Sequence, residues 1–387
     1  MLRKLICKLG LFCKIPLAWQ QLIRGKTLLA IALTGIAFAD ILMFAQMGFE
    51  AALFESAIAP HKVLNADLVI VSRNFKTIYS VKHFPRERIF QARGFAGVES
   101  VNPLYVGLGK WLNPDNGSLQ TILIAGLPPE NFSIKNHDVT KLQHHLQILN
   151  QVLFDTASLP KFAPTTPTDA EINNIEVQIA GWFKLGRSFA TYGNIICSDL
   201  TYLRLFSSHA SDQVTVGLIK LAANANPQTT AEFLQQKLPD DILILTIPEF
   251  TQLETDYWSK TTPIGFIFGV GVIVSFLVGS VIVYQILYTD VSIHLPEYAM
   301  LKAMGYTQFY LMKILGQEAL FLAVLGYIPG FLFTIAFYHV AASATMLPVF
   351  MTWERAVTVF FLTLIMCFIA GAIAMRQLHS ADPADLF

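Results

Sequence analysis

Charged residues are scarce in this sequence. Asp, Glu, Lys and Arg make up 14% of its 387 residues, against about 25% in soluble globular chains, while 54% are hydrophobic and 12% aromatic. Mean hydropathy is +0.51, so part of the chain is built for a non-aqueous solvent. An excess of either charge is missing as well, since 27 Lys+Arg balance 27 Asp+Glu. That removes the positive field with which nucleic-acid binders gather phosphates, and excludes a dedicated nucleic-acid protein. Cysteine is limited to Cys7, Cys13, Cys197 and Cys367, too dispersed for a CxxC pair, a zinc cluster or a disulfide framework.

Local signatures of catalysis are absent too. There is no GxxxxGK[ST] phosphate loop, and Gly107-Leu-Gly-Lys110 has the wrong spacing for one. No HExxH occurs; His144 and His145 are adjacent rather than one helical turn apart, and read as a solvated helix surface. No GxSxG elbow is present. The sequence therefore assigns no catalytic, cofactor-binding or metal-ligating residue.

What is present is apolar length. A bilayer core needs roughly 20 consecutive apolar residues in a helix, and four runs meet that test: Thr27 to Met47, Ile264 to Tyr288, Ile314 to Val340 and Ala356 to Met375. Residues 48–262 between the first two have ordinary soluble composition. The expected layout is a cytoplasmic amphipathic segment (1–26), transmembrane helix 1 (27–47), a periplasmic domain with stalk helices (48–262), and transmembrane helix 2 (263–288). A cytoplasmic loop (289–313), transmembrane helix 3 (314–340), a short periplasmic loop (341–355), transmembrane helix 4 (356–375) and a cytoplasmic tail (376–387) follow. Arg3, Lys4, Lys8, Lys14, Arg24 and Lys26, with no acid among residues 1–26, keep the N-terminus inside by the positive-inside rule. Four spans return the C-terminus to the same side. Ala37-Phe38-Ala39 offers a rival reading as a signal cleavage site, but the leader is long and the apolar run continues to Met47. Within the leader, Ile15 to Arg24 reads as an amphipathic segment lying at the inner interface.

The periplasmic segment reads as two βαβ-like halves around an insertion, an α+β fold of the split-βαβ kind. Strands are expected at 65–72, 98–108 and 119–125, with a helix at 85–95, and the pattern returns as strand 214–220, helix 229–237 and strand 242–247. The insertion, 132–208, carries the run Pro160 to Pro167 and a β-rich stretch from Glu176 to Ser198. The sequons at Asn116 and Asn131 lie ahead of it and carry no weight if the source is bacterial.

Few polar residues lie in the spans. Asp40 is the sharpest, expected to face protein or water because an ionisable group at that depth costs about 2.5 to 3.5 kcal/mol on insertion scales; helix packing or a dimer interface is its simplest role. Glu318 lies near the cytoplasmic end of span three. Gly265 with Gly269, and Gly326 with Gly330, have the GxxxG spacing that lets helices approach closely, and Pro329 is expected to kink its helix.

The loop after span two is the most informative. His294-Leu-Pro-Glu297-Tyr298-Ala-Met-Leu301-Lys302-Ala303-Met304-Gly305 places an acid at a helix start, a cation near its end and a glycine stop. It resembles the coupling segment of permeases in the FtsX/MacB-like ABC exporters, roughly E-x-A-x-L-[KR]-A-[ML]-G. The tract Ile314 to Glu318 with Gly326 to Gly330 resembles their third span, and Asp382-Pro-Ala-Asp-Leu386 their C-terminus. Pro85-Arg-Glu-Arg88, Gly97 to Tyr105 and Gly181 to Phe189 look most like DevC-type permeases, the cyanobacterial group associated with heterocyst envelope glycolipid export.

The resemblance implies a four-helix (1+3) inner-membrane domain with a large, porter-like α+β extracytoplasmic domain. It implies a homodimer and two copies of a separate, DevA-like ATPase, which uses the ATP and Mg. It further implies a DevB-like periplasmic membrane-fusion adaptor, a TolC-like outer-membrane duct and a lipid or glycolipid substrate. Glu297 and Lys302 would be polar anchors in a groove of the ATPase, and Leu301 and Met304 its apolar contact. His294-Leu-Pro296 departs from relatives that carry basic residues there. With so few polar residues in the spans, motion of the ATPase would be passed mechanically to the periplasmic domain. An FtsX-like regulator of a cell-wall hydrolase would share this core; a membrane-anchored enzyme and a ligand-binding receptor are the remaining readings.

Overall fold

The computed structural model describes residues 17–113, 117–130, 133–158, 169–207 and 212–380. The basic leader before Leu17, the proline-rich run from Pro160 to Pro167, Asn116, Asn131 and the tail from Asp382 to Leu386 lie outside the described residues. The chain divides into a helical unit (Met1–Glu50, Phe266–Val340, Val349–Phe387) and a β-rich unit (Ala51–Gly265 with Ala341–Pro348).

In chain order the elements are α1 (Leu17–Arg24), α2 (Lys26–Lys62), β1 (Leu68–Ser72), β2 (Phe84–Pro85), α3 (Glu87–Arg93), β3 (Val98–Leu112), β4 (Leu119–Leu127) and α4 (His137–Leu142). There follow β5 (Gln151–Asp155), β6 (Asp169–Ile172), β7 (Ile175–Phe183), β8 (Asn194–Ser198), α5 (Asp199–Leu205), β9 (Gln213–Val214), β10 (Val216–Leu221) and α6 (Pro227–Lys237). The last are β11 (Ile242–Thr246), α7 (Ile247–Asp256), a π-helical turn (Tyr257–Thr261), α8 (Pro263–Ile293), α9 (Leu295–Ala303), α10 (Gln308–Thr345) and α11 (Trp353–Ser380).

Four helices, α2, α8, α10 and α11, are long and apolar enough to cross a membrane, one ahead of the β-rich segment and three after it. Each exceeds the expected span. The extra turns carry the polar residues at which composition alone ended the apolar run.

In the β-rich unit, β11, β1, β10 and β3 are neighbours in that order and pair antiparallel throughout. With α3 between β1 and β3, and α6 between β10 and β11, this is β-α-β-β-α-β connectivity. All five residues of β1 are buried, because Leu68 and Ile70 face α3 and α6. Val69 and Val71 pack on the opposite side with Ala57 and Phe250.

β3 is the element the sequence understates. Its first half pairs with β10, and from Tyr105 onward it pairs with β4. From there β4 continues to β8, β5, β7 and β6, and β6 returns to β3 at Trp111 and Leu112. Six strands thus close a ring whose interior takes alternate residues, including Trp111, Ile122, Ile124, Phe154, Ile179 and Ile195, the period-2 pattern of a small filled barrel. The ring takes in β3 from Tyr105 and β4 from Leu119, both ahead of Phe132 where the insertion was expected. β4 pairs antiparallel with β3 and, on its other side, parallel with β8.

Candidate coupling site

α9 is short and owes its definition to its ends. His294 accepts the amide of Tyr298 and donates its own to the carbonyl of Asp290, both at 3.0 Å, so it links α8 directly to α9. Pro296 lies in the first turn, where a missing N–H costs nothing. At the other end the Gly305 amide donates to Lys302 O at 3.0 Å and the Tyr306 amide to Leu301 O at 3.1 Å. This paired termination requires the left-handed backbone that Gly305 adopts, φ +91°.

The helix has an inner and an outer side. Tyr298 is buried with Ala18, Val291, Leu311, Ile314 and Leu315, and Leu301 packs partly against the same cluster. Ala299 is buried; Met300 and Met304 are 57% and 63% exposed, and Glu297 and Ala303 are exposed with Gly305 and Tyr306. Lys302 is half-buried. Leu301 therefore does not share the apolar outer face expected for it alongside Met304. Its spacing from Tyr298 and from the start of α10 turns it inward, and Met300 takes its place outside. Phe309, at the start of α10 and beyond the motif, is exposed as well, at 76%.

His294, the departure from the expected basic residues, is occupied within the chain. Its Nδ1 lies 3.0 Å from the Asp290 carbonyl and 3.5 Å from Asp290 Oδ1. Asp290 and Glu318 are both buried and line, with Leu22, Gly25 and Leu322, a cavity of about 10 Å³, room for about one water.

The other singled-out residues sit among the long helices. Asp40 has no exposed surface and accepts a 2.6 Å hydrogen bond from Thr363 of α11. A side chain at Gly326 would meet Ile36 Cγ2 at 2.6 Å, and one at Gly330 would meet Asp40 Cβ at 3.0 Å. That GxxxG pair is where α10 lies against α2. Pro329 is exposed within a helix that continues through it. Gly269 meets nothing within 4 Å, and the nearest atoms to a Cβ at Gly265 are the backbone of Ser259, so among the described residues this second spacing does not mark a close helix pair. Gly271 and Gly279, which no spacing singled out, are the glycines at which α8 approaches α2 closely; a Cβ would lie 2.6 Å from Gln46 Cδ at the first and 2.7 Å from Ala39 Cβ at the second.

The segment that holds α9 decides the comparison with known families. Residues 269–383 match the model of the FtsX-like permease C-terminal domain. This FtsX-like segment takes in most of α8, all of α9 and α10, and α11. Among solved structures, the chain is similar to the periplasmic region of MacB from Actinobacillus actinomycetemcomitans, at 12% identity over 49% of this chain and 92% of that one, with a TM-score of 0.35. It is also similar to the extracellular domain of the noncanonic ABC-type transporter YknZ from Gram-positive bacteria (12% identity, 47% and 99% covered, TM-score 0.32). A domain of a putative permease from Porphyromonas gingivalis is a third (14% identity, 48% and 90% covered, TM-score 0.31). No curated protein matches the chain.

Proposed function

We propose that this chain is the membrane-embedded permease subunit of a MacB/FtsX-like ABC exporter. Its N- and C-termini lie in the cytoplasm and its β-rich unit in the periplasm. It acts as a homodimer over two copies of a separate, DevA-like ATPase that binds the ATP and Mg. The observation that carries the reading is α9 within the FtsX-like segment: a short helix that presents Met300 and, at its end, Met304 beside Glu297, with Phe309 exposed at the start of α10. Exposed methionines beside a charged residue suit a partner groove that excludes water at its centre. Met300 and Met304 would seat the helix, with Glu297 and Lys302 at the rim.

The apolar outer face of α8, with Phe266 73%, Ile267 59% and Ile273 59% exposed, supports a dimer contact near Gly269. In this reading the ATPase cycle moves α9, and the long helices pass the motion to the β-rich unit. The latter works with a DevB-like adaptor and a TolC-like duct to move a hydrophobic or glycolipid substrate towards the outer membrane. The DevC-type likeness of Pro85 to Arg88 and Gly181 to Phe189 supports the substrate class.

The test is affinity purification of the full chain in mild detergent. Co-elution of an ABC ATPase with a membrane-fusion adaptor is expected, and Met300→Asp with Met304→Asp should lose the ATPase and keep the adaptor. An ATPase accompanied by a cell-wall hydrolase would replace export with an FtsX-like regulatory role. No ATPase at all would overturn the assignment of α9.

A further inference from the structure

Beneath the sheet of the β-rich unit, two chain segments meet that lead in opposite directions into the long apolar helices. The first is the last turns of α2; the second is α7 with its π-helical turn, which runs on into α8. At their meeting point His61 and Glu254 have no exposed surface. Glu254 is well supplied with donors: Oε1 accepts from Thr77 Oγ1 at 2.5 Å and Trp258 Nε1 at 2.7 Å, and Oε2 from the Ile78 amide at 2.9 Å. His61 lies against Phe250, ring centroids 4.4 Å apart. Its Nε2 is 3.5 Å from Glu254 Oε2, and among the described residues neither ring nitrogen has a hydrogen-bond partner.

Tyr79 is the other titratable group beside the pair, and its hydroxyl donates to Ala57 O of α2 at 3.3 Å. No cation is among the groups that act on Glu254 or His61. The orphaned imidazole and the one oxygen with spare acceptor capacity thus face each other across a gap that a single proton completes. That proton can sit on Nε2 and be donated to the carboxylate, or on Oε2 and be donated to the bare nitrogen.

We propose that His61 and Glu254 form a proton-balanced joint that fastens the segment leaving the first apolar helix to the segment entering the second, so that the two are displaced together. The proposal rests on the exporter reading only in giving the displacement a use; the joint itself is a property of this fold.

Burial pushes Glu254 up to about 6 from an ordinary 4.5 and His61 down to about 3 from 6.5. The two act oppositely on folding. The raised carboxyl favours the folded state below 4.5, and that contribution is lost as pH rises through 6. The depressed imidazole favours it above 6.5, and that contribution is lost as pH falls towards 3. Between 4.5 and 6 the folded joint holds its proton on Glu254 while the unfolded chain holds one on His61, and the two slopes cancel.

The experiment is hydrogen exchange of the full-length protein in nanodiscs, at pH 6.5 and pH 5, for the wild type, His61→Phe, Glu254→Gln and the double variant. Phenylalanine keeps the ring against Phe250, and glutamine keeps the shape while setting an N–H against the Ile78 amide. Each single variant should speed exchange about tenfold in both segments, 51–62 and 247–261, and the double variant should add nothing beyond the worse single. Relative to wild type, acidification should worsen Glu254→Gln and relieve His61→Phe. Phe250→Leu, which loosens packing without touching a proton, should show no such opposition.

Effects confined to each variant's own segment, additive effects, or pH responses of the same sign would overturn the joint. Exchange needs no ATPase. Failure to co-purify one would therefore sink the exporter reading and leave these results standing, and the reverse holds equally.

Discussion

A carboxyl group without exposed surface in the middle of an apolar helix must be answered by a neighbour, and Thr363 answers Asp40. The Thr363 hydroxyl also approaches the Val359 carbonyl at 2.8 Å, so one hydrogen serves two acceptors. Thr363→Val keeps the shape and removes the donor, and should cost about 1–3 kcal/mol because a buried acceptor is left without its partner. A lowered midpoint of thermal unfolding in detergent would register the loss; an unchanged midpoint would mean that Asp40 draws its hydrogen bond from elsewhere. Asp40 was legible in the sequence because charge is conspicuous among leucines. Thr363 was not, since a threonine in an apolar helix normally bonds its own preceding turn, and only the packing of α11 beside α2 turns the hydroxyl to a second use.

At the scale of elements, α9 shows what a sequence states and what it leaves out. Its start, its cation near the end and its glycine stop were all readable from Glu297, Lys302 and Gly305, because capping is local chemistry. Its facing was not. Leu301 turns inward because Val291, Leu311 and Leu315 from other helices wait for it, and each is an ordinary apolar residue in its own context. Gly305 isolates the local part: a Cβ there would meet nothing within 4 Å, so Gly305→Ala is penalised only for its left-handed backbone, by roughly 1–2 kcal/mol. Faster exchange of the Tyr306 amide, with α8 and α10 unaffected, is the expected result. If exchange does not change, the termination is held by packing and not by the glycine. The GxxxG spacings make the same point, since Gly326 and Gly330 pack a helix while Gly269 faces open space with identical local sequence logic.

In the β-rich unit β3 belongs both to the antiparallel sheet and to the ring. Trp111, fully buried near the end of that strand, lies 5.1 Å from Phe154 across the ring. Trp111→Ala should cost about 3–5 kcal/mol, and, because the same strand carries the antiparallel sheet, protection should fall in β10 as well as in β4 and β6. Loss limited to the ring would show that the two sheets open independently. The two βαβ halves were readable because each is built from neighbours in sequence. The ring was not, as the parallel pairing of β4 with β8 joins distant segments and leaves no local mark.

The shared strand also imposes an order in time. As the chain emerges from the ribosome, β3 meets β4 almost at once, whereas β1 pairs only with β10 and β11, the last strands of the unit to be made. Local pairings cost less loop entropy than distant ones, so the ring can close on β3 while β1, already synthesised behind α2, has no partner. For that interval a strand buried along its whole length in the finished protein stands uncovered, and whatever shields Leu68 to Ser72 during synthesis governs how much of this protein reaches its folded form.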